Sequence, residues 1–128
     1  MTNLQLTALN SRFYAPCTAH GEKIRNLHAM IDTGSNVTAV RSDICQDLSL
    51  LHAGTLPMGC VHGAHADMLV QRYFCTITLG KKDRRIIVYE LGKLVEGGNA
   101  IDAILGLNML EGCRMTLDWE RMEGTLEV

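Results

Sequence analysis

The sequence predicts an all-β domain, closed and barrel-like, with a projecting hairpin and one or two short helices. Three observations lead there. Short runs rich in Val, Ile, Thr and Leu alternate apolar and polar positions, and turn residues such as His20-Gly21-Glu22 and Gly80-Lys81-Lys82-Asp83 separate them. Helical spacing is confined to Ile44, Leu48 and Leu51, and to the single turn 107–110. The run 57–79 is mostly strand-like and long enough for a hairpin that stands beyond the body.

In chain order, Leu4, Leu6 and Ala8 share one face and predict a strand over 4–9. A second strand spans 12–19, and Pro16 favours an edge position for it because proline donates no ladder hydrogen bond. The chain returns over 23–31, with Leu27, Ala29 and Ile31 facing one way. Val37, Thr38 and Val40 make 36–40 a further strand. Ser42 and Asp43 read as a capping hydroxyl and a first-turn acid for a helix over 42–48. Within the hairpin, Met68, Val70, Arg72 and Phe74 alternate with Leu69, Gln71, Tyr73 and Cys75, and Gly63 supplies a turn near His62–His65. A strand over 84–91 follows. The loop Glu96-Gly97-Gly98-Asn99 leads to an apolar strand before Gly106, one helical turn, and final strands over 114–119 and 124–128.

Composition narrows the function. The 128 residues, 47% hydrophobic and 20% charged, suit one domain over 1–128 with an adequate core. A net charge of −2 and the lack of a basic run give no electrostatic support for nucleic-acid or anionic-membrane binding. Aromatic residues are few for base stacking. No apolar run approaches a membrane span, and no positive-then-apolar signal segment opens the chain. Cys17, Cys45, Cys60, Cys75 and Cys113 are odd in number, widely spaced and without a C-x-x-C pair, so we expect reduced thiols in a cytoplasmic protein.

The stretch Ile31-Asp32-Thr33-Gly34-Ser35 ends an apolar strand in an acid, two hydroxyls and a glycine. Such residues turn the chain, so a carboxylate sits at the mouth of a rigid strand. By itself the triplet also fits a plain turn. Late in the chain comes Ile104-Leu105-Gly106-Leu107-Asn108-Met109-Leu110. Together with the glycine-containing hairpin between them, these motifs resemble the retropepsin-like aspartic proteases, the single-lobed relatives of retroviral proteases, in bacterial or retroelement-like form. The resemblance spans about residues 10–128.

That resemblance implies a homodimer in which Asp32 from each copy meets on a two-fold axis, because one chain carries one such loop. Two carboxyls at roughly 3 Å share one proton: one activates water while the neutral partner protonates the carbonyl. It implies that Thr33 bonds across the axis, that Gly34 lets an amide approach the carboxylate, and that Ser35 donates to the outer oxygen of Asp32. That last bond would favour the ionised form and an acidic optimum. His62, Gly63 and Ala64 would lie near the tip of the flap that closes over an extended peptide, cut between apolar residues. No cofactor or metal is implied. Leu107-Asn108 stands where retroviral members usually carry Arg-Asn, and Thr2–Leu9 with Thr125–Val128 could interleave between subunits.

Other readings of the same residues compete with this one. A catalytically silent peptide-binding or dimerisation module on the same fold would show a damaged loop, whereas Asp32 to Ser35 are all present. Cys60, His62 and His65 could approach a metal, but a fourth ligand is missing. Asp102, flanked by apolar residues, reads as structural, and Lys81 to Arg85 as a solvated turn.

Overall fold

A computed structural model describes residues 2–58, 68–92, 95–96 and 99–128. The predicted hairpin tip at His62, Gly63 and Ala64 lies outside the described residues, as do Cys60 and His65. The elements are β1 (Asn3–Leu9), β2 (Arg12–His20), β3 (Ile24–Ile31), β4 (Thr38–Arg41), α1 (Ser42–Asp47), β5 (Leu51–Met58), β6 (Met68–Leu79), β7 (Lys82–Leu91), β8 (Val95–Glu96), β9 (Asn99–Ala100), β10 (Ala103–Leu105), α2 (Leu107–Leu110), β11 (Arg114–Asp118) and β12 (Glu123–Glu127). No helix among them is long and apolar enough to cross a membrane.

Ten strands form one sheet in the order β11-β12-β1-β2-β3-β10-β4-β7-β6-β5. An additional pairing of β2 with β6, at Thr18–Thr78 through His20–Thr76, joins β2-β3-β10-β4-β7-β6 into a ring of strands. The inward faces fill that ring. Leu27 and Ala29 of β3, Val40 of β4, Ile77 and Leu79 of β6 and Leu105 of β10 are buried together. Ile44 and Leu48, one helical turn apart, pack into the same core, each contributing about 2 kcal/mol of burial.

Several local expectations change. Leu51, spaced helically from Ile44 and Leu48 but beyond the predicted helix over 42–48, opens β5 and is 65% exposed. Ser42 is the first helical residue rather than the cap. Arg41 holds the cap position, and the Ser42 hydroxyl instead donates to the Glu90 carboxylate. The segment read as a solvated turn is largely β7. Arg84 donates to Asn108 O at 2.7 Å and Lys82 Nζ to Glu111 O at 3.1 Å, which satisfies carbonyls at the end of α2.

Pro16 is not on an edge strand, since β2 has neighbours on both sides. On one side β1 pairs up to Tyr14 and β6 pairs from Thr18 onward, so Pro16 sits in the gap between them. On the other side it faces His28, whose amide donates to Asp102 rather than across to β2. The missing proline N–H is therefore asked for by neither neighbour.

Candidate active site

The site follows from a crossing. β10 lies between β3 and β4, parallel to the first (Ala103–Ala29 through Leu105–Ile31) and antiparallel to the second. The loop that carries the chain from β3 to β4 must therefore pass over the C-terminal end of β10. Asp32 N donates to Leu105 O at 3.0 Å, which extends the parallel ladder by one residue into the loop. Leu107 N donates to Ser35 O at 2.8 Å and Asn108 N to Asn36 O at 3.3 Å, so the loop rests on the first turn of α2.

The two backbones meet at Gly106. A Cβ there would stand 2.1 Å from Val37 O and 2.8 Å from Ser35 O. Its backbone is extended (φ −97, ψ −173), so glycine is needed for space and not for conformation.

Within the loop, the Gly34 amide donates to Asp32 Oδ1 at 3.0 Å. A side chain at Gly34 would place its Cβ 3.3 Å from that oxygen. Asp32 is half-buried and Thr33 and Gly34 are exposed. Among the described residues, no Lys, Arg or His forms an ion pair with the Asp32 carboxylate. Two-residue alternation along the ladder puts Asp32 on the face of Met30 and Ile104. There Tyr14 and Ile101 are buried, with Met30, Leu91 and Ile104 packed against them, in an apolar cluster separate from the main core.

Ser35 departs from its expected role. Its hydroxyl donates to Val37 O at 2.8 Å and accepts from Val37 N at 3.3 Å. The proton assigned to the outer oxygen of Asp32 is already engaged two residues on. Ser35 shapes the loop instead of contacting the acid.

One supporting residue, Thr38, had no clear sequence signal. Thr38 is fully buried; its hydroxyl accepts from Gly106 N at 3.2 Å and donates to Asn108 Oδ1 at 2.7 Å. That network ties β4, the glycine and α2 beneath the loop. A hydroxyl inside an apolar strand was the available hint, and it fits ordinary β propensity equally well. Asp102 is structural, as read: its carboxylate accepts from His28 N at 3.0 Å and from Arg41 Nη1 at 3.4 Å, pinning β3 and β4 to the start of β10.

A concavity of about 260 Å³ lies away from this loop, between the β2–β3 turn and the base of β5–β6, lined by His20, Leu51, Phe74 and Arg85 among others. Size does not make it the centre of chemistry: Glu22 is its one carboxylate. Among the described residues, no His, Cys, Asp and Glu cluster could hold a metal. Burial pushes the Cys17 and Cys45 thiols up to about 12 and that of Cys75 to about 11, so these are neutral core groups and not nucleophiles.

No family model and no curated protein matches the sequence. Solved structures do match. A retropepsin-like aspartic protease from Rickettsia conorii superposes with a TM-score of 0.64 at 17% identity, over 98% of this chain and 90% of that one. The retroviral protease-like domain of Ddi1 from Leishmania major gives 0.51 at 15% identity, over 84% and 81%.

Proposed function

We propose that this chain, which has the retropepsin-like fold, is an aspartic endopeptidase whose residues 1–128 work as one domain and whose active form is a homodimer. The observation that carries the reading is the loop itself. A carboxylate ends a central strand, is steadied through Oδ1 by the Gly34 amide, and has no cationic partner among the described residues. A structural acid ordinarily has its oxygens satisfied; Asp102 is the contrast within the same chain.

The mechanism needs two such groups. With Asp32 of a second copy close by, like charges prevent both carboxyls from ionising, and the pair holds one proton. The ionised member accepts a proton from water as it attacks the scissile carbonyl, and the protonated member donates to the carbonyl oxygen. The Gly34 amide steadies the negative oxygen without moving during the reaction. Thr33 is next to the acid and exposed, and in the dimer it would bond to its counterpart across the axis. Peptide side chains beside the cut bond would rest on the apolar cluster around Met30 and Ile104, which supports a preference for apolar residues. His62, Gly63 and Ala64 would close over an extended peptide from the hairpin. The thiols of Cys17, Cys45, Cys75 and Cys113 are free, in keeping with action in a reducing cytoplasm.

The test is cleavage of a peptide library at several pH values by wild type and Asp32→Asn, with and without a pepstatin-type transition-state mimic. Wild type should cleave, the mimic should block it, and the variant should lose at least about three orders of magnitude in rate while keeping its fold. Equal cleavage by the two proteins would remove the mechanism.

A further inference from the structure

The ladder of β6 is broken on one side. β2 pairs with it as far as His20–Thr76, and β5 pairs with it only from Leu51–Phe74, so Cys75 lies level with an interval between the two strands. The β2–β3 turn and the residues after α1 close one end of that interval. Glu22 N donates to Leu48 O at 2.9 Å, and a Cβ at Gly21 would collide with the same carbonyl. The result is the concavity of about 260 Å³ beside these strands, walled by ladders and a tight turn.

Its charged groups are separated by sign. His20 and Arg85 both stand opposite Thr76, one from β2 and one from β7. Neighbouring strands lie about 4.8 Å apart, so these two Cα atoms are about 10 Å apart. Glu22 follows His20 into a turn that leads to β3, which places its carboxylate at the end away from Arg85. Among the described residues, neither Glu22 nor Arg85 forms an ion pair, whereas Lys23 and Arg25 share Asp47. Arg85 lies over the Phe74 ring, 5.2 Å from its centroid, which keeps the guanidinium at the cavity wall.

His20 adds a fixed acceptor. The Thr78 hydroxyl donates to Asp83 at 2.5 Å, so it accepts from His20 Nε2 at 2.8 Å. Nδ1 of the neutral ring is then the nitrogen with a lone pair to offer. Between the two ends the wall is apolar, formed by Leu50, Leu51 and Phe74, and Leu51 is 65% exposed. A few polar groups converging on an apolar wall are the usual makings of a small-ligand site.

We propose that this cavity binds a short peptide with free termini. The ammonium group meets Glu22 and His20 Nδ1, the carboxylate meets the Arg85 guanidinium, and an apolar C-terminal side chain rests on Phe74 and Leu51. A single amino acid holds its two charges too close together to reach both ends. Two residues extend about 7 Å, a span that the Glu22 and Arg85 side chains can meet from either end. The site uses none of residues 32–36, so the inference goes beyond the peptidase reading and does not depend on it.

Titration of the isotope-labelled full chain with the dipeptide Ala-Leu, followed by amide NMR shifts, tests it. Shifts should saturate with a Kd of about 1 mM, as suits a ligand of this size, and should centre on Gly21, Leu51, Phe74 and Thr76. N-acetyl-Ala-Leu and Ala-Leu amide should each bind about tenfold more weakly, since each loses one charge-assisted bond. Two double-mutant cycles then separate recognition from folding. Arg85→Gln should weaken Ala-Leu about tenfold and leave the binding of Ala-Leu amide unchanged, because the bond it removes is already absent. Glu22→Gln should stand in the same relation to N-acetyl-Ala-Leu. Both residues are exposed, so both variants should fold, and circular dichroism verifies it. Shifts that never saturate, shifts confined to 32–36, or capped peptides that bind as tightly as Ala-Leu would overturn the site. Variants that weaken all three peptides equally would overturn it too, since that is the signature of a distorted wall and not of a lost contact.

Discussion

Replacing Gly106 by Ala adds one methyl group where two backbones touch. Its Cβ would meet Val37 O at 2.1 Å, Val37 C at 2.6 Å and Ser35 O at 2.8 Å, all main-chain atoms that no rotamer change can move aside. Relief to the 3.4 Å at which ordinary contact begins requires a displacement of about 1.3 Å, the difference from 2.1 Å. Three hydrogen bonds lie within that shift: Leu107 N to Ser35 O, Asn108 N to Asn36 O and Gly106 N to the Thr38 hydroxyl. Weakening them costs about 1 kcal/mol each, and overpacking adds about 1–3 kcal/mol. The expected loss is therefore on the order of 4–6 kcal/mol, which lowers the urea midpoint by about 2–3 M at a slope of about 2 kcal/mol/M. On the dimeric peptidase reading, the same displacement would carry Asp32 out of register with its counterpart, and misplacement on this scale costs about a hundredfold in rate. Urea titration followed by circular dichroism, with peptide cleavage on the folded fraction, measures both. A Gly106→Ala protein within about 0.5 kcal/mol of wild type and fully active would show that the loop does not rest on this glycine.

Ser35→Ala removes a hydroxyl bonded to Val37 and not to the acid. We expect about 1 kcal/mol of lost stability and an acid limb of the cleavage profile that stays in place. A limb displaced to higher pH would show that the hydroxyl serves Asp32 after all. The buried thiols set an alkaline limit. Desolvation pushes Cys17 and Cys45 from 9.0 up to about 12 and Cys75 to about 11, so the unfolded chain releases these protons first. Their contribution is complete below pH 9 and is lost as pH rises from about 9 to about 12. Urea midpoints measured across that range should fall, and Cys17→Ala should flatten the slope; an unchanged slope would contradict neutral burial of that thiol.

What the sequence by itself determined was everything with a local period or a local stereochemical rule. Alternation located β1, β2, β3, β7 and the terminal pair within a residue or two, because a strand with one buried face must repeat every second position. The aspartate loop was legible because an acid, hydroxyls and a glycine cannot prolong an apolar strand. The stretch Ile104-Leu105-Gly106 was legible as an apolar strand ending at a glycine. Tertiary structure alone decided which distant group each polar atom would meet. Ser35 gave its proton to Val37, Ser42 turned to Glu90, Thr38 found Gly106 and Asn108, and Lys82 and Arg84 left solvent for the end of α2. Leu51 kept helical spacing with Ile44 and Leu48 and still began β5, because pairing with Phe74 outweighed a weak local preference. Pro16 shows the limit most clearly. The rule that bars proline from a central ladder holds, yet whether a ladder hydrogen bond is demanded at that position depends on where β1 leaves and β6 arrives, more than fifty residues away in the case of Thr78. Spacing along a chain fixes the direction in which a side chain points; only the closed ring of strands fixes what it meets there.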